Sequence, residues 1–213
     1  MKVAVITAAY KEPEDFLAQC VDSVRNQTHS DILHIIVNDG ATPYKIDGAQ
    51  VINLPHRFND MGDTPRAIGA VAAIGQGAEA ICWLDYDNWF EPNHIESLVS
   101  LLENGIDVAC STRTLYSMDG YPLGPCYEID GKNFVDCNCL LLGNKAFYIA
   151  WMWTMIPAGK HHIDDRFLWA EIQRIASQNR IEVAYTNQAT VGYRTNYANH
   201  YLHFGFQPPP TAK

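Results

Sequence analysis

The first forty residues confine the chain to a short menu of folds, because they read as strand, helix, strand. Lys2 to Tyr10 (KVAVITAAY) is a nearly continuous β-rich apolar run, the pattern of a strand covered on both faces in a parallel sheet. Pro13 is placed to be the first helical residue, Glu14 and Asp15 complement the helix dipole, and Phe16, Leu17, Cys20, Val21 and Val24 form one apolar stripe. His34 to Val37 then reads as a second buried strand that stops at Asn38-Asp39-Gly40. Two such strands around one helix predict a right-handed βαβ crossover.

The alternation continues for another seventy residues. Val51 to Leu54 reads as a third strand, and Thr64-Pro65 opens an Ala/Gly-rich helix to about Gly77, slim enough to lie close to a sheet or a ligand. Ala80 to Leu84 is a fourth strand ending at Asp85-Tyr86-Asp87-Asn88. A helix starts at Pro92, carries Ile95, Leu98, Val99 and Leu102 on one face, and stops at Asn104-Gly105 before a fifth strand, Ile106 to Cys110. Beyond Ser111 the regularity weakens, and Gly120, Pro122, Gly124 and Pro125 punctuate a loop or hairpin region. Cys137 to Leu142 reads as a strand, Lys145 to Met155 and Asp164 to Gln178 as helices, and Ile181 to Tyr185 as a late strand. Gln207 to Pro210 reads as a frayed tail. The expectation is an α/β, Rossmann-like, mostly parallel sheet flanked by helices in a single domain spanning residues 1–213. About 1–112 form its nucleotide-binding half, about 113–206 an irregular substrate-facing half, and 207–213 the tail.

Composition narrows the function. Lysines and arginines number 15 against 24 acids, a net charge of −9 that repels a phosphate backbone and argues against nucleic-acid binding. Phosphates remain accessible to such a chain if a cation sits between. No apolar run reaches the roughly 20 residues a bilayer span requires, and the longest candidate, around Phe147 to Ile156, reads as buried helix. Six cysteines without a CxxC pair, and no leader-like start, point to reduced thiols and a cytoplasmic protein, peripheral at the inner membrane face if it meets a membrane at all.

In open α/β sheets the ligand crevice lies beyond the carboxyl ends of the strands. Here those ends carry Tyr10-Lys11-Glu12, Asn38-Asp39-Gly40, Asp85-Tyr86-Asp87 and Ser111-Thr112-Arg113. Two carboxylates one residue apart at the edge of a buried strand can hold a hard divalent cation such as Mg²⁺ or Mn²⁺, which keeps positions for water and phosphate oxygens. A solvated turn capping the strand is the plainer use of the same residues. A phosphatase of the haloacid-dehalogenase type also uses Asp-x-Asp after an apolar strand, but Trp89 occupies the place where that motif has a small β-branched residue. Cys137-x-Cys139 with His161-His162 matches no structural zinc spacing.

Trp83-Leu84-Asp85-Tyr86-Asp87-Asn88-Trp89-Phe90-Glu91-Pro92 resembles the Asp-x-Asp segment of nucleotide-sugar-dependent glycosyltransferases. Val5 to Tyr10 with Leu17 and Ser23-Val24-Arg25-Asn26-Gln27-Thr28 resembles the opening of family 2 of these enzymes. Ile35 to Thr42 is similar to their second strand with its Asp-Gly turn. Asn59-Asp60-Met61-Gly62 through Arg66-Ala67-Ile68-Gly69 resembles their Gly-containing loop and Arg-bearing helix, and Asp164-Asp165-Arg166-Phe167-Leu168 their later Glu-Asp motif. The segments occur in family order over roughly residues 3 to 170.

This resemblance implies a GT-A fold and a set of roles. Ala9, Tyr10 and Glu12 would belong to the nucleotide-sugar site, with Tyr10 and Glu12 bordering nucleobase and ribose. Asp39 would accept a hydrogen bond from a uracil-like N–H. Arg66 would pair with the diphosphate or hold an acid of the site, Asp85 would contact ribose or sugar, and Asp87 would ligate the metal. Asp165 would be the general base, with Asp164, where the family has Glu, able to take either job. A late histidine, His203 or His200, would add a metal ligand. Trp151, Trp153 and Trp169 would form a sugar-stacking wall unless they pack in the core.

The implied activity is a metal-dependent, inverting transfer of a sugar from a nucleotide diphosphate, a UDP-sugar favoured, to a hydroxyl of a glycan, lipid-linked sugar or small molecule. The Gln-x-x-Arg-Trp signature of processive relatives is absent, and a homodimer is compatible with the reading. A catalytically silent nucleotide-sugar binding protein is the alternative.

Overall fold

The apolar runs of the first half line up as neighbouring strands of one sheet. A computed structural model describes residues 1–11, 13–40, 42–130 and 133–213. In chain order its strands and α-helices are β1 (Val3–Ala9), α1 (Glu14–Arg25), β2 (Ile32–Asn38), β3 (Gln50–Asn53), α2 (Asp63–Gly75), β4 (Ala80–Trp83), β5 (Trp89–Phe90), α3 (His94–Glu103), β6 (Val108–Tyr116), β7 (Pro122–Pro125), β8 (Leu140–Gly143), α4 (Asp164–Ala176), β9 (Val183–Arg194) and α5 (Ala198–His203). The strand order is β3-β2-β1-β4-β8-β6-β9-β5, with β7 folded onto β6.

The pairings of β3, β2, β1 and β4 are parallel, with Val5 of β1 opposite both His34 of β2 and Cys82 of β4. β8 enters antiparallel to β4 and β6, while β6 and β9 run parallel. This is the α/β sheet expected, and its first four strands aim their carboxyl ends the same way. α2 lies against β1 at close range: a Cβ on Gly69 would come within 2.4 Å of the Ile6 side chain, so only glycine fits. The Ala/Gly-rich helix is slim for that reason. The core is continuous, from Val3 through Trp83 to Trp153 and Trp169.

Four expectations are corrected. Asn144–Thr154 forms a 3₁₀ helix rather than an α-helix. After Asn144 its exposed positions, Lys145, Tyr148, Trp151 and Thr154, recur every third residue, the period of that helix, and eleven residues are too few to separate three from 3.6 by eye. Cys137–Cys139 is also 3₁₀, so β8 starts only at Leu140. The late strand runs to Arg194 rather than Tyr185, because Asn187 adopts φ 56° and jogs the strand through a polar bulge that reads as a turn. The tail is not frayed. Lys213 N–H donates to Asn196 O at 2.8 Å, Ala198 N–H donates to Lys213 O at 2.9 Å, and Asn196 Nδ2 donates to Thr211 O at 3.1 Å.

All six cysteines are free thiols, and five are buried. Among the described residues no helix is long and apolar enough to cross a membrane.

Candidate active site

Two adjoining cavities, about 480 and 590 Å³, open where β1, β2 and β4 end. The first is lined by Ala9, Tyr10, Asp39, Arg66, Asp85 and Asp87 among others, so six residues expected for the nucleotide-sugar and metal sites converge there. Glu12 lies outside the described residues.

Asp39 follows the last residue of β2. Its Oδ1 accepts the Phe58 N–H at 2.9 Å and its Oδ2 the Asn59 N–H at 3.3 Å, so the carboxylate orders the loop that forms the cavity's far wall. That loop places the Arg57 guanidinium 3.8 Å from the centre of the Tyr10 ring, a cation–π contact covering the aromatic at the end of β1.

The turn after β4 is closed by Asn88 N–H donating to Asp85 O at 3.0 Å. Asn88 is buried, and its Oδ1 accepts the Arg194 N–H at 3.0 Å, tying the turn to β9. Asp85 Oδ1 accepts from Arg66 Nη2 at 2.6 Å and Oδ2 from Asn138 Nδ2 at 2.9 Å, while Asn138 Oδ1 accepts the Asp85 N–H at 2.7 Å. Burial opposes ionisation of Asp85, yet the Arg66 charge and the hydrogen bonds from Asn138 and Arg66 hold its carboxyl below the usual range. Asp85 is therefore an anion already satisfied by protein. Asp87 lies two residues on, half-buried, and faces the first cavity.

Arg66 also reaches Asp164 at 3.4 Å and Asp63 at 3.6 Å. It thus holds three acidic residues of the site, one of the two roles the resemblance implies for it. Burial pushes Asp63 up to about 7, and His161 Nδ1 sits 2.6 Å from its Oδ2. The His161–Asp63 contact ties the turn before α4 to the start of α2.

The second cavity is lined by Asp164, Asp165, Asp136, Arg113, Tyr193 and His200 among others. Asp165 stands in the first turn of α4, its N–H bonded to Asp164 Oδ1 at 2.8 Å. Burial, then the charges of Asp136, Asp164 and Asp85, raise its carboxyl well above the ordinary value. Arg113, within β6, is buried, pairs with Asp136, reaches Glu128 at 3.4 Å and lies 3.8 Å over the Tyr193 ring. Asp136 and Asn138 escaped the sequence reading. The signal was present: polar residues interrupting the apolar run from Val135 to Leu142, both almost wholly buried.

The late histidines divide. His200 is buried in the second cavity's wall with Nδ1 2.6 Å from Thr195 Oγ1 and Nε2 3.0 Å from Glu128 Oε2, so both ring nitrogens are engaged. His203 stacks on Tyr127 at 3.8 Å, is exposed, and lines neither cavity. His203 is thus not among the residues lining the cavity that Asp87 lines, and packs on Tyr127 and Phe204 instead. Trp153 and Trp169 are core residues, and Trp151 is 59% exposed, so the three do not form one wall.

For a hard divalent cation the donor chemistry fits at Asp87, a carboxylate turned to a cavity of phosphate-accepting size. Asp136, Cys137 and Asp165 also place ligand atoms within 4.8 Å of one another. That trio suits such an ion poorly, since Asp136 is committed to Arg113 and burial keeps the Cys137 thiol protonated.

The parallel α/β half ending in Asp-x-Asp, with helices on the sheet, has the GT-A glycosyltransferase fold. The family model described as glycosyl transferase family 2 matches residues 4–157, and the chain belongs to that family. EpsH of Bacillus subtilis (strain 168), named as a glycosyltransferase, is 34% identical over 101 residues, 46% of this chain and 29% of its own. The glycosyltransferase GlyA of Streptococcus pneumoniae serotype 4 is 26% identical over 113 residues, 51% of this chain and 16% of its own. The chain thus spans well under half the length of these curated relatives. The crystal structure of S. aureus TarS 1-349 in complex with UDP matches with a TM-score of 0.64 at 11% identity, over 96% of this chain and 63% of that one. The TarS complex with UDP-GlcNAc matches with a TM-score of 0.64 at 12% identity, over 92% and 59%.

Proposed function

We propose that the chain transfers a sugar, with inversion and one residue at a time, from a nucleoside diphosphate donor to an acceptor hydroxyl. The observation that carries this reading is that Asp85 lines both cavities, so the strand-end acids meet the chamber holding Asp165 across a single junction. The nucleotide lies in the first cavity, its base against Tyr10 and Asp39. The acceptor enters the second. That TarS is described in complex with UDP and with UDP-GlcNAc supports a UDP-sugar as donor.

The acceptor oxygen attacks the anomeric carbon, forming the new C–O bond. The bond to the diphosphate breaks, and its electron pair leaves on the phosphate oxygen. Asp165 accepts the hydroxyl proton, a task suited by the raised basicity that burial and neighbouring acids confer. Asp85, fixed by Arg66 and Asn138, orients the ribose or sugar without moving. Asp87 would hold Mn²⁺ or Mg²⁺, which supplies charge neutralisation to the two phosphates when bound. The buried free thiols support a reducing, cytoplasmic setting, with any membrane contact peripheral.

Thermal shifts with UDP, GDP and dTDP, each with and without Mn²⁺, test the donor site. UDP should raise the melting temperature, and more so with the metal. No metal-dependent shift with any nucleotide would refute the proposal, and binding without turnover on a panel of activated sugars would favour the silent binding protein.

A further inference from the structure

Four residues line both cavities: Met61, Arg66, Asp85 and Lys213. They mark the junction at which, on the proposed reading, the sugar parts from its diphosphate. Arg66 and Asp85 neutralise each other there. Arg57, the other cation of the first cavity, lies over Tyr10. Among the described residues Lys213 makes no ion pair, so it is the junction's uncommitted cation.

Its position is held from several directions. Phe206 packs with the cluster of Leu115, Leu123 and Tyr201, and meets Tyr121 edge-on at 5.9 Å. Pro208 to Pro210 stiffen the return, and Ala212 N–H closes a turn on Pro209 O at 2.9 Å. Lys213 then spends both backbone groups on Asn196 and Ala198. The residue so held is exposed and lines both cavities.

We propose that the Lys213 ammonium binds the donor's diphosphate at this junction and takes up the negative charge that grows on the leaving phosphate oxygen as the bond to the sugar breaks. The lysine acts through charge and hydrogen bonds. Donors placed where charge develops act most strongly in the transition state, and an ammonium is a mobile point charge suited to a phosphate. The inference rests on the nucleotide-sugar reading above and adds a residue to it. It also gives an acidic chain a cation of its own for the leaving group, beside any metal at Asp87.

The test titrates UDP and uridine into the full chain as wild type, Lys213→Met and Lys213→Arg, and follows hydrolysis of the activated donor. The side chain is exposed, so the variants should keep the wild-type melting temperature. Lys213→Met should weaken UDP about tenfold, the scale of one charge-assisted hydrogen bond. It should leave uridine binding unchanged and lower the hydrolysis rate, and Lys213→Arg should restore most of both losses. Equal UDP affinity and turnover in wild type and Lys213→Met would overturn the assignment, as would a parallel loss of uridine binding. Failure of the wild type to bind any nucleoside diphosphate would instead sink the donor-site reading itself.

Discussion

Arg66 Nη2 and Asp85 Oδ1 meet at 2.6 Å in the wall shared by the two cavities, and this contact decides what each can still do. The guanidinium is consumed by Asp85, Asp164 and Asp63, and the second oxygen of Asp85 by Asn138. Arg66 is therefore a clamp joining β4, α2 and α4. Replacing it by Ala leaves Asp85 and Asp164 without their cation, which for a buried pair costs about 3 kcal/mol or more. Urea denaturation should show that loss, with Arg66→Lys intermediate because the charge survives without the fork.

Asp165→Asn separates binding from chemistry. The variant should bind UDP as the wild type does, within about twofold, because Asp165 lines only the second cavity. Transfer should fall by roughly 10²-fold or more, the usual worth of a general base. Unchanged turnover would move that role to Asp164.

Asp39 serves its loop and, on the proposed reading, the nucleobase. Asp39→Ala removes the acceptors of the Phe58 and Asn59 N–H groups. Amide hydrogen exchange at those two positions should quicken, and stability should fall by about 1–3 kcal/mol. Nucleotide affinity should drop as the Arg57–Tyr10 contact loosens.

Burial lowers His94 from 6.5 to about 3, inside a contact with Thr190 Oγ1 at 2.7 Å and a stack on Phe90 at 3.8 Å. A depressed folded value means the unfolded chain binds the proton first, so this residue's contribution falls as pH drops below 6.5. The slope is about 1.4 kcal/mol per pH unit in that window. The raised carboxyls of Asp63, Asp164 and Asp165 act with the opposite sign over much of the same range, so the measurement is a difference. Between pH 6.5 and 5, the stability of His94→Asn should depend on pH less steeply in the acid-destabilising sense than that of wild type, by about that slope. Identical slopes would refute it.

What could be read along the chain was what depends on near neighbours. The βαβ opening, the strand that ends at Asp85 and the slim helix carrying Gly69 all follow from local period and residue size, and the structure has each of them. The convergence of Tyr10, Asp39, Arg66, Asp85 and Asp87 on one cavity follows from parallel strands ending together.

Partnership over long sequence distance was decided by packing alone. Arg66 could have faced a diphosphate, and only the fold shows it clamped 98 positions away on Asp164 and 19 away on Asp85. His203 and His200 are three residues apart on one short helix, yet aromatic stacking turns the first outward while Glu128, 72 positions distant, captures the second. The sequence by itself determined the parallel first half, β1 to β4, and the acids that follow β2 and β4, because backbone periodicity and hydrophobic patterning are local properties. The tertiary structure alone decided which charge neutralises which, because Coulomb energy depends on distance through space and on burial, and neither is written in residue order.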